Sequence, residues 1–279
     1  MSFFNSIVSC SSYSNDIIVI MAAGEGKRMN SKLPKVLHLL SNKPMIVHVL
    51  EKALNINPMK IYIVVGKHRN LIENTIHKYI NSELIKEKIE FVFQREPLGT
   101  ADALMTFCEY INTLKHLEFN SSKVLILSGD VPLISIDTIK LMLNSKYLAN
   151  ILVSHTDNNH GYGRIVQEYD IKNNYYYLKK IVEEKDCTES ERYIKIINSG
   201  IYCINYKILN KYIYYIENKN SQSEYYLTDI FEIINRVDGN HINVIELEKK
   251  NIHEIMGVNT KEQLEYLEEL HELKEMFNR

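Results

Sequence analysis

Four times in its first half the chain repeats one alternation: a short apolar run rich in β-branched residues, then a longer segment with helical apolar spacing. The runs are DIIVIM (16–21), KIYIVV (60–65), IEFVF (89–93) and KVLILS (123–128). The segments between and after them are PMIVHVLEKALN (44–55), NLIENTIHKYI (70–80), TADALMTFCEYI (100–111) and SIDTIKLML (135–143). Nearly continuous apolar runs suit strands buried on both faces, and a helix after each strand is the connection that parallel neighbours need. The alternation therefore predicts an α/β fold with a mostly parallel sheet and helices on its faces. Thr100 is expected to cap the third helix.

Past residue 150 the pattern changes. NILVSH (150–155), GRIVQEY (163–169), YYYLKKIVEE (175–184) and SGIYCINY (199–206) read as strands with turn residues between them, an antiparallel or mixed insertion against the first sheet. A helix over SEYYLTDIFEIINR (223–236), a strand INVIEL (242–247) and a last helix TKEQLEYLEELHELKEMF (260–277) follow. Thr260 and Gln263 have capping-box spacing, and Leu264, Leu267, Leu270 and Leu273 recur on one side of that helix. The expected organisation is a loose Ser- and Asn-rich extension (1–15), a body (16–258) and a C-terminal helix (259–279).

At 279 residues and 45% hydrophobic content, the chain can bury a large core. Its net charge of -2 gives no overall basic field, so nucleic acid is not an expected partner and any anion site must be local. Cys10, Cys108, Cys187 and Cys203 form no C-x-x-C pair, which predicts reduced thiols and a cytoplasmic setting. No secretory leader and no run of membrane-spanning length is apparent, so a membrane is not an expected partner.

The first run opens into AAGEGKRM (22–29), a loop with two glycines and nearby cations. A P-loop would carry Ser or Thr after its lysine; Arg28 stands there. A dinucleotide fingerprint would carry a third glycine; Met29 stands there. What remains is an ordinary βα turn, or a loop whose backbone wraps a triphosphate with Arg28 and Lys35 supplying charge. Asp130 follows a glycine at the end of KVLILS, where open α/β sheets bind ligands; it suits Mg²⁺, and a turn-forming aspartate equally. Gly99 and Thr100 sit where a helix begins, so their N–H groups are placed to meet a base or a phosphate.

The loop has company. LPKVLH (33–38), FQREPLGTADAL (93–104), LSGDVPLI (127–134), GYGRIV (161–166), KIVEEKD (180–186), INSGIY (197–202), SEYYLTDI (223–230) and MGVNT (256–260) follow in order. With them the chain resembles the sugar-1-phosphate nucleotidyltransferases, and most closely the N-acetylglucosamine-1-phosphate uridylyltransferase domain of bacteria, over about residues 16 to 277. The resemblance implies a Rossmann-like, mostly parallel sheet with a smaller mixed sugar-binding subregion. It implies transfer of uridylyl from UTP to N-acetylglucosamine 1-phosphate with Mg²⁺, giving UDP-N-acetylglucosamine and pyrophosphate. It makes Arg28, Lys35 and Asp130 catalytic, with Asp130 and Asn259 holding the metal; the other reading of Asn259 is a cap on the last helix. It puts the nucleotide against Ala22, Ala23, Gly24, Gln94, Gly99 and Thr100, where Gln94 can both donate to and accept from an imide edge. It puts the sugar against Gly163, Glu183, Asn198, Tyr226 and Thr228, with Lys185 near the sugar phosphate; Tyr225 and Tyr226 are not ranked.

Three departures stand out. Glu25 and Lys27 occupy positions where relatives often carry Lys and Thr, and an acid beside a triphosphate is awkward. Pro97 replaces a common Gln, which bears on base selection. Bacterial relatives usually continue into a trimerising β-helix of hexapeptide repeats with acetyltransferase activity; no such period occurs up to Arg279, so neither that activity nor that trimer is expected, and the oligomeric state is open. The alternatives are another sugar-1-phosphate nucleotidyltransferase, using glucose 1-phosphate with UTP or dTTP, and a non-catalytic regulatory homologue.

Overall fold

The computed structural model describes residues 15–114, 119–238 and 242–277. All of the expected N-terminal extension except Asn15, and with it Cys10, lies outside the described residues.

Among the described residues one nine-stranded sheet dominates. The chain runs β1 (Ile17–Ala22), a small hairpin of β2 (Leu39–Leu40) and β3 (Lys43–Pro44), α1 (Met45–Asn55), β4 (Lys60–Val65), α2 (Arg69–Tyr79), α3 (Ser82–Lys88), β5 (Ile89–Phe93), α4 (Thr100–Thr113), β6 (Lys123–Ser128) and α5 (Ile136–Asn144). It continues through β7 (Ala149–His155), β8 (Arg164–Asp170), β9 (Tyr175–Val182), β10 (Ile196–Asn205), α6 (Tyr206–Tyr212), α7 (Asp229–Asp238), β11 (Ile242–Leu247) and α8 (Lys261–Phe277). The expected α/β architecture is present. β4, β5 and β6 fall on the predicted bounds; α3 and α6, too short for a clear helical period, were not foreseen.

The sheet order is β11-β7-β10-β6-β1-β4-β5. β6, β1, β4 and β5 are parallel, so their carboxyl ends share one edge. From β1 the chain steps outward to β4 and β5, then crosses to β6 on the other side of β1. That reversal opens a crevice above β1 and β6, where ligands bind in open α/β sheets. β10 runs antiparallel to β6 and β7, and β8 pairs with both β10 and β9. β10 serves these partners through a bulge: Asn198 faces Val153 but Tyr202 faces Ile151. Gly200 supplies the positive φ of 75° that the bulge needs.

β1 explains why the strands read as unbroken apolar runs. Ile17 and Val19 enter the core shared with Leu104 and Phe107 of α4 and Phe231 of α7. Ile18 and Ile20 enter the opposite core, with Val47 and Leu50 of α1 and Ile139 of α5. All four are fully buried, each worth roughly 1.5–3 kcal/mol. A third, smaller cluster lies behind the glycine loop: Met29, Leu40, Met45, Leu133, Val258 and Leu267. Met29, the residue that excluded a dinucleotide fingerprint, is thus the loop's apolar anchor.

α8 docks on that cluster through Leu264, Leu267 and Leu270, whereas Leu273, expected on the packed side, is exposed. The capping box is formed: Gln263 N–H donates to Thr260 Oγ1 (3.3 Å), and Gln263 Oε1 accepts from the N–H groups of Thr260 (3.2 Å) and Asn259 (2.7 Å). Farther along, Glu268 accepts from Ser41 N–H at 2.7 Å and His271 meets Ser41 Oγ at 3.0 Å, clamping the β2–β3 hairpin.

One predicted cap does not form and one predicted helix start moves. α4 begins after Gly99, which occupies the capping position without a side-chain bond, and Thr100 does not cap it. Thr100 Oγ1 instead accepts from Leu227 N–H at 2.9 Å. α7 begins at Asp229, because the preceding EYYLT is bonded to the start of α4: Tyr225 N–H donates to Leu98 O and Ala101 N–H to Tyr225 O, both at 2.8 Å. This bridge requires glycine at 99, where φ is +129° and a Cβ would lie 2.4 Å from Tyr225 O. Among the described residues no helix is long and apolar enough to cross a membrane. Cys108, Cys187 and Cys203 are free and buried.

Leu267→Ala should destabilise the protein by about 2–4 kcal/mol, because it empties a buried site between α8 and the glycine loop. Urea denaturation with an unchanged slope checks this.

Candidate active site

The loop after β1 ends in a short 3-10 turn, Lys27–Met29, which burial of Met29 pins and which leaves Arg28 exposed. Gly26 has a φ of +63°, and a Cβ there would lie 2.6 Å from Lys35 Cβ. This glycine therefore lets the Lys35 segment fold back against the loop. Gly24 differs: a Cβ there would meet nothing within 4 Å, so its open side faces free space.

Four of the predicted residues meet here. Lys35 Nζ pairs with Asp130 Oδ2 and donates to Asn259 Oδ1 at 3.0 Å. Arg28 Nη2 donates to the same Asn259 oxygen at 3.0 Å. Asp130 Oδ1 accepts from Ser128 Oγ at 2.5 Å, and Val258 N–H donates to Asp130 O at 3.0 Å. The Lys35 and Asp130 side chains are only 16% and 10% exposed, so the pair is shielded from solvent. Ser128 had not been singled out; its position at the end of β6, two residues before Asp130, was the available signal. Asn259 does not cap α8, which Thr260 does, so its side chain is free to serve this cluster.

The donor set can be tested for a metal without invoking one. A lysine ammonium sits between a carboxylate oxygen and an amide oxygen, so the protein already holds one positive charge between two hard oxygen donors. Such a pair suits Mg²⁺, which takes one or two protein oxygens and completes its shell with water and phosphate. Among the described residues no group of three or more His, Cys, Asp or Glu side chains could hold a metal. Two protein donors are what this site offers.

Toward β5 the edge becomes less charged. Ala22 is buried at the end of β1, Ala23 O lies 3.0 Å from where a Gly66 Cβ would stand, and Gln94 N–H donates to Val65 O at 2.9 Å. Gln94 is only 3% exposed, not a solvated strand end, and its Nε2 donates to Asp102 Oδ2 at 2.6 Å. Gln94 follows β5 and Asp130 lies just past β6, strands that stand three spacings apart, roughly 14 Å. An extended nucleoside triphosphate spans such a distance. Glu25 is also explained: Lys67 Nζ pairs with it at 2.5 Å, so its charge is met by protein.

The second half supplies another cluster. Asn198 N–H donates to Gly163 O at 2.9 Å, and a Cβ on Gly163 would lie 3.4 Å from Asn198 Cβ and 3.5 Å from Glu183 Oε2. Thr228 Oγ1 donates to Glu183 Oε1 at 3.1 Å. Asn198 Nδ2 donates to Tyr202 OH at 2.7 Å and its Oδ1 accepts from Gly200 N–H at 3.1 Å. Gly163, Glu183, Asn198 and Thr228 thus converge. Tyr226 is buried with its hydroxyl on Gln222 Nε2 at 2.7 Å, while Tyr225 is partly buried against the core. Lys185 is exposed and donates to Gln222, on the loop that also offers Ser221 N–H to Asp186 at 2.9 Å.

Sequence reasoning missed what positions Glu183. Its neighbour Glu184 accepts from Arg164 Nη2 at 2.6 Å, and Arg164 is 1% exposed. Arg192 also reaches Glu184, at 3.3 Å. A buried arginine between GYG and IVEE was the overlooked signal.

The carboxyls of this half share a shielded environment. Burial pushes Glu183 up, the Thr228 hydrogen bond opposes this, and the charges of Asp186 and Glu224 add to it. Asp229 is pushed up to about 6, by burial first and then by Glu232, Glu183 and Asp186.

Residues 17–250 match the family model described as nucleotidyl transferase. The chain is 42% identical over 255 residues to a protein of Acanthamoeba polyphaga mimivirus named probable UDP-N-acetylglucosamine pyrophosphorylase, covering 90% of this chain and 94% of that one. It is 38% identical over 256 residues to the bifunctional protein GlmU of Alkaliphilus metalliredigens, covering 90% of this chain and 51% of that one, so it spans about half the length of that relative. A solved structure of UDP-glucose pyrophosphorylase complexed with UDP-glucose shares the fold at a TM-score of 0.69 and 16% identity, covering 93% of this chain and 99% of that one.

Asp229 carries a pH prediction. Its folded-state value lies above the usual 3.8, so the native state binds more protons than the unfolded chain between about pH 4 and 6. Stability from this group is present below that window and is lost as pH rises through it. Asp229→Asn should therefore match the parent below pH 4 and exceed it at pH 7, by on the order of 1–3 kcal/mol. Chemical denaturation across that range measures the difference.

Proposed function

The chain belongs to the nucleotidyl transferase family, and from that premise we propose that it transfers uridylyl from UTP to N-acetylglucosamine 1-phosphate, releasing pyrophosphate and UDP-N-acetylglucosamine. The observation that carries the reading is the convergence of Arg28, Lys35, Asp130 and Asn259, from three distant segments, at the carboxyl ends of β1 and β6. The name of the mimivirus relative supports the choice of nucleotide and sugar.

In this reaction a phosphate oxygen of the sugar attacks the α-phosphorus, a new P–O bond forms in line, and the bond to the β-phosphate oxygen breaks. The attacking group is already an anion, so no base has to remove a proton. The barrier lies in bringing two anions together and in the charge that spreads over the α-phosphate and leaving group. Lys35 and Arg28 meet that charge, and burial around Lys35 strengthens it. Asp130 and Asn259 would hold Mg²⁺. When bound, the metal would neutralise phosphate charge and act as a template between the two phosphates. Ser128 and Lys35 fix the Asp130 carboxylate from two sides.

Gln94 and the backbone of Ala22, Ala23 and Gly24 would take the uracil edge. Thr100 Oγ1 accepts from Leu227 N–H, and Gly99 lies between Leu98 and Ala101, which both bond Tyr225, so the two would serve the nucleotide through the shape of that bridge. Gly163, Glu183, Asn198 and Thr228 would take the sugar hydroxyls and the acetamide, with glycine at 163 keeping the floor between Asn198 and Glu183 open. Tyr226, buried and bonded to Gln222, would support this wall from behind.

Asp130→Asn should lower pyrophosphate release from UTP and N-acetylglucosamine 1-phosphate on the order of 10²-fold or more. Near-parental turnover at saturating Mg²⁺ would sink the metal assignment. A panel of four nucleoside triphosphates against several sugar 1-phosphates tests the substrate choice, and no preference for UTP with the N-acetylated sugar would overturn it.

A further inference from the structure

Gln94 is a side chain whose amide can face either way, and the two orientations read opposite chemistry. With Oε1 toward a pyrimidine it accepts a hydrogen bond; with Nε2 toward it, it donates. Uracil carries a proton on ring nitrogen N3, and cytosine carries a lone pair there. An amide free to turn would suit both.

In this protein the amide is not free. Its nitrogen faces Asp102 Oδ2 at 2.6 Å and leans toward Gly99 O at 3.5 Å. A carboxylate and a backbone carbonyl offer acceptors only, so the NH₂ end must face them. The opposite orientation would set Oε1 against two oxygens in a site where Gln94 is 3% exposed. Asp102 is itself fixed: it lies in the first turn of α4, between Ala101 and Ala103, both packed in the core. The Gly99 bridge to Tyr225 pins the start of that helix.

We propose that Asp102 is a specificity-determining positioning residue: by holding the Gln94 amide nitrogen it leaves Oε1 as a fixed acceptor and selects pyrimidines with a protonated N3 over cytosine. The inference rests on the uridylyl-transfer reading above. It adds that the selection against CTP originates one residue removed from the base. Thymine presents the same imide, so the lock separates imide from amidine and is blind to the 5-methyl group. Pro97, which departs from relatives in the 94–99 loop, leaves this lock untouched, since neither of its two bonds involves residue 97.

The test compares kcat/KM for UTP and CTP, each with N-acetylglucosamine 1-phosphate. Asp102→Asn keeps the shape of the side chain but can offer either a donor or an acceptor, so the Gln94 amide can turn. The UTP-to-CTP ratio should fall about tenfold, the scale of one mispaired buried group, with KM for the sugar phosphate unchanged. Asp102→Ala, which removes the acceptor altogether, should move the ratio the same way. In a Gln94→Ala background, where the ratio is already low, Asp102→Asn should change nothing further; a merely structural residue would still act there. Thermal melting identifies any variant that has lost its fold, and the two Asp102 variants serve as each other's check. A parental ratio in folded Asp102→Asn and Asp102→Ala overturns the inference alone. A parent protein with no preference for UTP overturns the inference together with the uridylyl-transfer reading.

Discussion

Lys35 holds the site together. Its ammonium lies between Asp130, at the end of β6, and Asn259, just before α8, and its own segment is folded back against Gly26 of the loop after β1. One positive charge thus ties three stretches of chain that are distant in sequence. A shielded ion pair of this kind adds little net stability once its desolvation is counted, but removing one partner would leave the other buried and unpaired. The arrangement therefore fixes geometry more than it stabilises the fold. The stability comes from below, where Met29, Leu133, Val258 and Leu267 pack next to the same three stretches. Charge above and hydrophobic burial beneath hold the glycine loop, the end of β6 and the start of α8 in one register.

A second junction joins the two halves of the sheet edge. The backbone bridge from Leu98 and Ala101 to Tyr225, with Thr100 Oγ1 on Leu227, ties the start of α4 to the segment that carries Thr228. Thr228 in turn donates to Glu183. Hydrogen bonds joined through the 225–228 backbone therefore link the start of α4 to the Glu183 carboxylate. The price is conformational: glycine is required at 99, and EYYLT must leave the helix its apolar spacing would favour.

That override shows where the sequence was legible and where it was not. β4, β5 and β6 were readable to the residue because their apolar runs end at charged or turn-forming neighbours. The start of α7 was misread because its spacing is helical, while the bonds that hold it extended come from a loop more than a hundred residues earlier. The cluster of Arg28, Lys35, Asp130 and Asn259 could be anticipated because each residue sits in a recognisable motif. The partners that orient them could not: Lys67 for Glu25, Asp102 for Gln94, Arg164 for the neighbour of Glu183. Such partners are ordinary charged residues whose meaning lies in a distance of 2.5–2.6 Å across the fold.

The distribution of charge along the edge fits direct transfer between phosphates. At the β1–β6 end two cations, Lys35 on Asp130 and Arg28 on Asn259, outnumber the one carboxylate, which suits the two phosphate groups of the proposed reaction. At the other end carboxyls gather: burial raises Glu183 and Asp229, and the charges of Asp186 and Glu224 on the first, and of Glu232, Glu183 and Asp186 on the second, add to it. A shielded carboxyl beside a threonine hydroxyl and an asparagine amide is suited to neutral hydroxyl and acetamide groups and repels phosphate. In the proposed reaction the same field would draw a triphosphate toward Arg28 and Lys35 and discourage it from lying the other way along the edge. Orientation of the two proposed substrates would then follow from charge placement before any single contact is made.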